Sequence, residues 1–159
     1  MRVTIIAAGR LKEKYLHEGI EEYLKRLKPF AQVNIIEIAD EAVSEGASRA
    51  ETEKARDTEG ERMMRALPER AYHIALDIKG DSLSSEEFAA LFEKAAVQGI
   101  SHMVFTIGGS VGLAPCVMAA ADLKLSFGAV TYPHQLMRLI LTEQIYRAFK
   151  INRREPYHK

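Results

Sequence analysis

Five apolar runs recur along the chain, and segments with helical spacing separate them. The runs are RVTIIAA (2–8), QVNIIEIA (32–39), AYHIALDI (71–78), HMVFTI (102–107) and the shorter LKLSF (123–127). Apolar residues at spacings of three and four predict a helix over 13–28, and helical runs are also predicted over 114–124 and 133–150. A charged helix is predicted over 48–67, before Pro68, and a serine cap begins another that reaches about residue 97. Strands that are apolar on both faces and alternate with helices predict an α/β fold with a parallel sheet between helical layers.

Length and cysteine content limit the class of protein. A chain of 159 residues is expected to form one domain, residues 1–159, and to need no disulfide or metal for stability. The single cysteine, Cys116, excludes a disulfide framework. The apolar run near the start is too short for a signal peptide or a membrane span, so we expect a cytoplasmic protein with no membrane partner.

Charge is balanced overall but unevenly distributed. Lysine plus arginine and aspartate plus glutamate each number 22, so the net charge is zero. Residues 40–62 carry eight acids against four bases, whereas residues 133–159 carry six bases against two acids. This basic end suits contact with phosphates, and a solvated tail is the alternative that charge alone leaves open.

A glycine-rich loop, IGGSVGL (107–113), connects an apolar run to a helical one. A Walker loop requires a Gly-Lys-Ser/Thr sequence, which is absent here. A dinucleotide loop requires GxGxxG and a carboxylate about 20 residues later, where this chain has FGAVT (127–131). At this point the glycines fit a purely structural role equally well, as a tight turn and a site of close packing.

The last predicted helix is apolar on almost all sides. Its apolar positions are Leu136, Met137, Leu139, Ile140, Leu141, Ile145, Tyr146, Ala148 and Phe149. A terminal helix of a small domain normally has one apolar stripe, so two apolar sides indicate a second chain and hence a homodimer. The alternative is a central helix that its own domain covers.

The motifs taken together resemble one protein family over the whole length of the chain. They are GRLKEKYLHEGIEEYLKRL (9–27), Leu76, Asp77 and Gly80, the glycine loop, LSFGAVTYPHQLMRLILTEQIYRAFKI (125–151), and Tyr157 with His158. The sequence is similar to the small bacterial SPOUT-class methyltransferases that modify pseudouridine in large-subunit (23S) ribosomal RNA. Each motif alone is weakly specific, but their order and spacing are highly specific.

The resemblance implies a deep trefoil knot within about residues 100–159, a homodimer, and S-adenosylmethionine as methyl donor, with no metal. Carried over by position, the donor-binding residues are Leu76, Gly108, Phe127, Gly128, Ala129, Val130, Thr131 and Tyr132. The glycine loop then holds no phosphate, because this donor has none. Glycine instead lets backbone groups approach the donor, and we expect a side chain at Gly108 to protrude into the donor's space.

The resemblance also implies chemistry at the N3 position of pseudouridine, which carries a proton that must be removed. His158 is the candidate base, Arg147 the candidate for stabilising negative charge or gripping a phosphate, and Tyr157 a candidate for stacking on a base. Simpler roles remain open: an exposed terminal histidine, an ion pair between Arg147 and Glu143, and a tyrosine that anchors the tail. His73 and His102, in strands, are expected in the core, and no metal site is predicted.

Two other functions remain open beside methylation of ribosomal RNA. One is a SPOUT enzyme acting on transfer RNA, and the other is a ribosome-associated RNA-binding protein that has lost turnover. With no separate RNA-binding domain and no net charge, the protein is expected to recognise an assembled ribosome rather than free RNA, and not DNA. The acidic helix, residues 48–62, is expected to face away from the RNA or toward ribosomal protein.

Overall fold

The computed structural model describes residues 1–158 and contains five strands and five helices. The strands are β1 (Arg2–Ala8), β2 (Gln32–Ile38), β3 (Tyr72–Ser82), β4 (His102–Ile107) and β5 (Leu123–Ser126). The helices are α1 (Lys14–Leu27), α2 (Arg49–Ala66), α3 (Ser85–Val97), α4 (Pro115–Ala119) and α5 (His134–Asn152). The alternation of strands and helices agrees with the sequence-based prediction.

All five strands are parallel and lie in the order β2-β1-β4-β3-β5. Alternate residues of β1 pack into two different cores, with Val3 and Ile5 on one face of the sheet and Ile6 on the other. Helices α1, α3 and α5 cover the first face, and α2 and α4 cover the second. The predicted parallel α/β architecture is therefore confirmed, and His73 and His102 are buried in it as expected.

Serine caps begin two of the helices, α2 and α3. Ser84 caps α3 by accepting a hydrogen bond from the Glu87 backbone N–H, and the Glu87 side chain accepts one from the Ser84 N–H in return. Ser48 and Glu51 form the same reciprocal arrangement at α2. Each such cap satisfies N–H groups that the first helical turn leaves free, and losing one costs about 1 kcal/mol.

Two boundaries differ from the prediction. Strand β3 continues to Ser82 rather than ending at residue 78, because after an irregularity its end pairs again with β5. The helical run predicted over 114–124 is helical only over Pro115–Ala119, since β5 begins at Leu123. A strand interrupted by Asp77 and Gly80 has no continuous apolar pattern, so periodicity alone underestimates its length.

Helix α5 lies between α1 and α3 on the sheet, which corrects the argument for a second chain. Leu139 of α5 packs against Gly19 of α1, and Asn152 of α5 donates a hydrogen bond to the Ala89 carbonyl of α3. One chain therefore explains the two apolar sides of α5, and the pattern no longer points to a partner. Within residues 1–158, every helix is too short or too polar to cross a lipid bilayer.

Candidate functional site

A cavity of about 260 Å³ opens at the carboxyl ends of β3, β4 and β5. Ligands bind at this edge of a parallel sheet because the connecting loops and helix starts meet there. The lining residues come from β3, β4 and β5, the loops after β4 and β5, and the start of α5: Leu76, Asp77, Ile78, Ile107, Gly108, Gly109, Gly112, Leu113, Leu125, Phe127, Gly128, Val130, Thr131, Tyr132, His134 and Met137. Seven of the eight predicted donor-binding residues are among them, and Ala129 is not.

The glycine loop is closed on itself at the cavity wall. Gly109 and Gly112 form an isolated bridge, and the Gly112 N–H donates to the Gly109 carbonyl over 3.1 Å. A Cβ at Gly108 would lie 2.6 Å from the carbonyl carbon of Gly112 and 2.8 Å from the Leu113 nitrogen. The expectation that such a side chain would protrude into the donor's space is therefore wrong. Glycine is required at 108 because two backbone segments touch there.

At a second wall of the cavity, a glycine again lets two backbone segments touch. A Cβ at Gly80 would lie 2.6 Å from the backbone carbonyl of Lys124, so only glycine lets β3 approach β5 this closely. The Asp77 carboxylate, in the same irregular stretch of β3, accepts a hydrogen bond of 2.8 Å from the Lys79 N–H. The sequence motif of Leu76, Asp77 and Gly80 is thus explained by an irregular stretch of β3 that lies close against β5.

A buried carboxylate, which the sequence analysis did not single out, lies behind the glycine loop. Glu59 of α2 is 2% exposed, and one of its oxygens accepts a hydrogen bond of 2.9 Å from the Glu41 N–H. Its other oxygen, Oε2, has no hydrogen-bond partner among residues 1–158 and points at Gly109. Burial is the main cause of a raised pKa for Glu59, and the Glu41 N–H only partly opposes it.

Arg138 fixes the start of α5 beside the cavity. Its guanidinium, 1% exposed, donates to the carbonyls of Ala8 and Gly9 over 2.6 and 2.8 Å and to the Glu37 carboxylate over 2.9 Å. Burial lowers the pKa of Arg138, while the attraction of Glu37 opposes that shift. The arginine thereby ties α5 to the carboxyl ends of β1 and β2, and His134, one turn earlier, lines the cavity.

The three predicted catalytic residues form a second cluster, on α5 and on the segment after it, residues 153–158, which we name the tail. Arg147 donates to one oxygen of Glu143, 2.6 Å away, and its guanidinium lies 4.8 Å from the centre of the Tyr157 ring. The Tyr157 hydroxyl donates to the same Glu143 oxygen over 2.9 Å. Burial opposes the charge of Arg147, but Glu143 outweighs burial and raises its pKa. The Glu143 ion pair, the simpler role considered for Arg147, is therefore present.

His158 is held at both ring nitrogens. Its Nε2 lies 2.7 Å from the Glu86 carboxylate and its Nδ1 lies 3.4 Å from the Arg147 guanidinium. With Nε2 protonated, the ring donates to Glu86 while Nδ1 faces the arginine, so neither nitrogen is free. A hydrogen bond from the backbone, followed by the contact with His158, lowers the pKa of Glu86. The histidine is thus not simply an exposed terminal residue.

Within one chain the two clusters are separate. Arg147, Tyr157 and His158 are absent from the described lining of the cavity. Met137, which does line it, lies ten residues before Arg147 on α5, and this corresponds to roughly 15 Å along the helix. A smaller hollow lies between the clusters and brings Phe127 and Gly128 near Ser85 and Gln144. The structure therefore joins the predicted donor residues to each other but not to the tail.

The charge of the cavity wall limits what it can bind. Among its described lining residues, Asp77 is the one carboxylate and no lysine or arginine is present. A nucleotide phosphate would meet no cation there, whereas a sulfonium meets apolar side chains, glycine backbone and one negative charge. S-Adenosylmethionine therefore fits the residues present better than a phosphate does. Among residues 1–158, no three His, Cys, Asp or Glu side chains lie together as metal ligands.

A family model described as "Predicted SPOUT methyltransferase" matches residues 1–158. The chain belongs to the SPOUT methyltransferase family. This family membership agrees with the resemblance inferred from the motifs and with a cavity at the carboxyl edge of a parallel sheet. The family is one of methyltransferases, which use S-adenosylmethionine as the methyl donor.

Full-length relatives carry a more specific name. The SPOUT methyltransferase described here is 57% identical over 159 residues to the "Ribosomal RNA large subunit methyltransferase H" of Carboxydothermus hydrogenoformans, covering 100% of both chains. It is 52% and 50% identical to proteins of the same name from Listeria monocytogenes and Bifidobacterium animalis, again over the whole of both chains.

A solved structure supports the fold independently of sequence. A probable methylase family protein from Haemophilus influenzae superposes with a TM-score of 0.55 at 11% identity, covering 99% of this chain and 70% of that one. At this identity the likeness concerns the fold alone. It agrees with the parallel α/β architecture of this SPOUT methyltransferase.

Proposed function

We propose that this chain transfers a methyl group from S-adenosylmethionine to the N3 position of a pseudouridine in large-subunit ribosomal RNA. The observation that carries the proposal is a cation-free cavity at the carboxyl edge of the sheet, formed by the residues that the family resemblance indicates. The names of the full-length relatives support ribosomal RNA as the substrate rather than transfer RNA. The non-catalytic alternative is disfavoured because Arg147, Tyr157 and His158 form an ordered cluster.

The cavity residues bind and orient. When bound, S-adenosylmethionine supplies an electrophilic methyl group on a sulfonium. The backbone of the loop at Gly108 and of residues 127–132 is available for hydrogen bonds to the donor, and Leu76, Ile107 and Leu125 exclude water around it. Aligning the acceptor nitrogen with the methyl group removes much of the entropic part of the barrier.

The tail residues handle the proton and the charge. His158 accepts the N3 proton of the base, and Arg147 stabilises the negative charge that develops on the neighbouring carbonyl oxygens. Glu143 holds Arg147 in place through two hydrogen bonds. Because Glu86 and Arg147 occupy both nitrogens of His158 here, the tail must leave this arrangement before the histidine can act as a base.

The separation of cavity and tail favours a homodimer in which one chain supplies the cavity and the other the tail. Three apolar side chains around the cavity mouth are exposed: Ile78 by 51%, Val130 by 67% and Tyr132 by 39%. A second chain packed on this rim would bury them and would bring a second tail to the donor. The trefoil knot stays a prediction; β5 lies beyond β3 while α5 returns to the end of β1.

The test of the function is transfer of labelled methyl groups to assembled ribosomes, isolated large subunits and bulk transfer RNA. We expect label in large-subunit RNA, and we expect His158→Ala to lose at least about 100-fold of the rate while still binding the donor. Label in transfer RNA would keep the class of enzyme and replace the substrate. Donor binding without transfer to any of the three would favour the non-catalytic alternative. A preference for isolated large subunits over assembled ribosomes would contradict recognition of the assembled ribosome.

The test of the shared site is a mixed dimer. A donor-site variant, Gly108→Val, is co-purified with a tail variant, His158→Ala, each inactive by itself. If the tail acts on the partner's cavity, the mixed dimer contains one intact pair and recovers part of the activity. If the tail acts on its own cavity, the mixed dimer stays inactive. A solution mass equal to the single-chain 17.8 kDa would rule out the dimer directly.

A further inference from the structure

An open groove of about 430 Å³ lies at the opposite edge of the sheet from the donor cavity. The start of β1, the end of α1 and the residues before β2 and β4 form it: Met1, Arg2, Lys28, Pro29, Phe30, Ala31, Gln32 and Ser101. We name it the amino-edge groove. Unlike the donor cavity, its described lining contains two basic residues and no acidic one, so it attracts the opposite kind of ligand.

Three cationic side chains surround the amino-edge groove. Arg2 and Lys28 line it and are exposed, and the Arg153 guanidinium lies 4.5 Å from the centre of the Phe30 ring at its wall. None of the three takes part in an ion pair within the part of the chain that the structure describes. Their charges are therefore available to an anionic ligand.

Helix capping accounts for only part of this charge. Lys28 and Arg153 are the residues that end α1 and α5, where cations are favoured by the helix dipole. Arg2, however, is on strand β1 and caps no helix, although it lines the groove together with Lys28. Lys150, near the same end of α5, pairs with Glu155. Three unpaired cations around one concave surface thus exceed what capping requires.

The amino-edge groove is continuous with the tail cluster. The Phe30 ring packs against Tyr146 and Phe149 of α5, with ring centres 6.0 and 5.9 Å apart. Tyr146 in turn packs against Tyr157, 4.9 Å away. Since Phe30 is already covered by these rings and by Arg153, the groove offers charge rather than a free stacking surface. A polyanionic backbone matches it better than an unstacked base does.

We propose that the amino-edge groove binds backbone phosphates of the ribosomal RNA segment whose pseudouridine meets the tail. The inference rests on the proposed function. It explains how a chain of zero net charge can bind RNA through a local group of cations. The segment with excess acid, residues 40–62, leads into and includes most of α2, which packs on the other face of the sheet from α1 and α5. The chain therefore presents its tail side to the RNA and its acidic side away from it.

The experiment compares two triple variants with the same loss of charge. The groove variant is Arg2→Gln, Lys28→Gln, Arg153→Gln, and the control variant is Lys54→Gln, Arg65→Gln, Arg70→Gln, whose positions are exposed on and just after α2. Ribosome binding is measured by co-sedimentation over a range of salt, with donor binding and methyl transfer measured on the same samples. All six side chains are exposed, and thermal unfolding checks that both variants keep the fold.

We expect the groove variant to bind ribosomes about tenfold more weakly at low salt, and the slope of log affinity against log salt to fall by about 2 to 3. The control variant should match the wild type, and donor binding should be unchanged in all three proteins. Equal losses in both variants, no loss in either, or no ribosome binding by the wild type would overturn the proposal. A loss of affinity without a change of slope would indicate a ribosomal protein as the partner and would also overturn it.

The same samples separate this inference from the proposed function. If the wild type binds ribosomes through the groove but transfers no methyl group, the function fails and the phosphate site stands. If the groove variant transfers methyl groups with an unchanged kcat/KM and an unchanged salt slope, the phosphate site fails and the function stands.

Discussion

Arg138 and Arg147 lie nine residues apart on α5, and the structure holds them in opposite ways. Arg138 is 1% exposed and donates to two backbone carbonyls and one carboxylate. The Arg147 side chain is 25% exposed and relies on one glutamate, a tyrosine ring and a histidine. The first arginine is surrounded by fixed acceptors of the fold, and the second by side chains that can rearrange.

This difference indicates a division of labour along one helix. A buried charge with fixed partners stabilises one conformation, because separating it from them leaves several polar groups unsatisfied. A partly exposed charge near the end of a helix contributes little to stability, but it can be presented to a substrate. The start of α5 therefore holds the wall of the cavity, and we propose that its second half takes part in the chemistry.

The largest effect is expected from removing the buried charge. Arg138→Met keeps most of the stem but removes the donor to the carbonyls of Ala8 and Gly9, and leaves Glu37 with only the Leu11 N–H. We expect a loss of about 3–5 kcal/mol in the free energy of unfolding, measured by urea denaturation. Arg147→Met is the matched control and should lose about 1 kcal/mol or less. Equal losses at the two positions would remove the basis of the comparison.

The sequence predicts the elements well because strands and helices have different periodicities. It does not distinguish the two arginines, since both lie on an apolar helix and have carboxylates available. Arg138 finds its partners at Ala8, Gly9 and Glu37, all more than 100 residues away, and only the fold brings these together. Sequence analysis also missed Glu59, because α2 is rich in charged residues and nothing in the sequence separates the one buried carboxylate from the exposed ones.

The residues that line the cavity were indicated by the family resemblance rather than by periodicity. Seven of eight indicated residues line it, but the reason expected for Gly108 was wrong. A spacing of glycines does not show whether the missing Cβ makes room for a ligand or for another backbone segment. The second cluster shows a similar limit: the sequence offers the ion pair of Arg147 with Glu143, which is present, but not the contact of His158 with Glu86.

The second prediction sharpens the comparison through activity. Arg147→Gln should keep the fold and lower the rate of methyl transfer to ribosomes by about 10²–10³-fold, because a donor aimed at the developing negative charge is lost. Affinity for S-adenosylmethionine should not change, since Arg147 is outside the described cavity lining. Single-turnover transfer and equilibrium donor binding measure the two quantities. A variant with full activity would leave Arg147 as only the partner of Glu143.

The third prediction concerns an uncharged position of the cavity wall, Gly108. Gly108→Ala places a methyl group 2.6 Å from the Gly112 carbonyl carbon, so we expect the loop to shift, at a cost of about 1–3 kcal/mol. Donor affinity should fall with it, as calorimetric titration would show. Gly46→Ala is the control: its φ is +90°, no atom lies within 4 Å of the added Cβ, and donor affinity should be unchanged. Unchanged donor affinity in Gly108→Ala would mean that the loop does not shape the site.

The smallest effect is expected at Glu59, a buried charge that lacks the partners Arg138 has. Its pKa is raised, so the folded state binds its proton more tightly than the unfolded state does. Stability is therefore lost as the pH rises from the ordinary carboxyl pKa through the raised one, and stays level above it. Glu59→Gln keeps an acceptor for the Glu41 N–H and should remove this fall, gaining on the order of 1 kcal/mol at neutral pH. Urea denaturation from acidic to neutral pH measures the free energy of unfolding of both proteins. If the variant is less stable than the wild type at neutral pH, the Glu59 charge has a favourable partner in the folded protein.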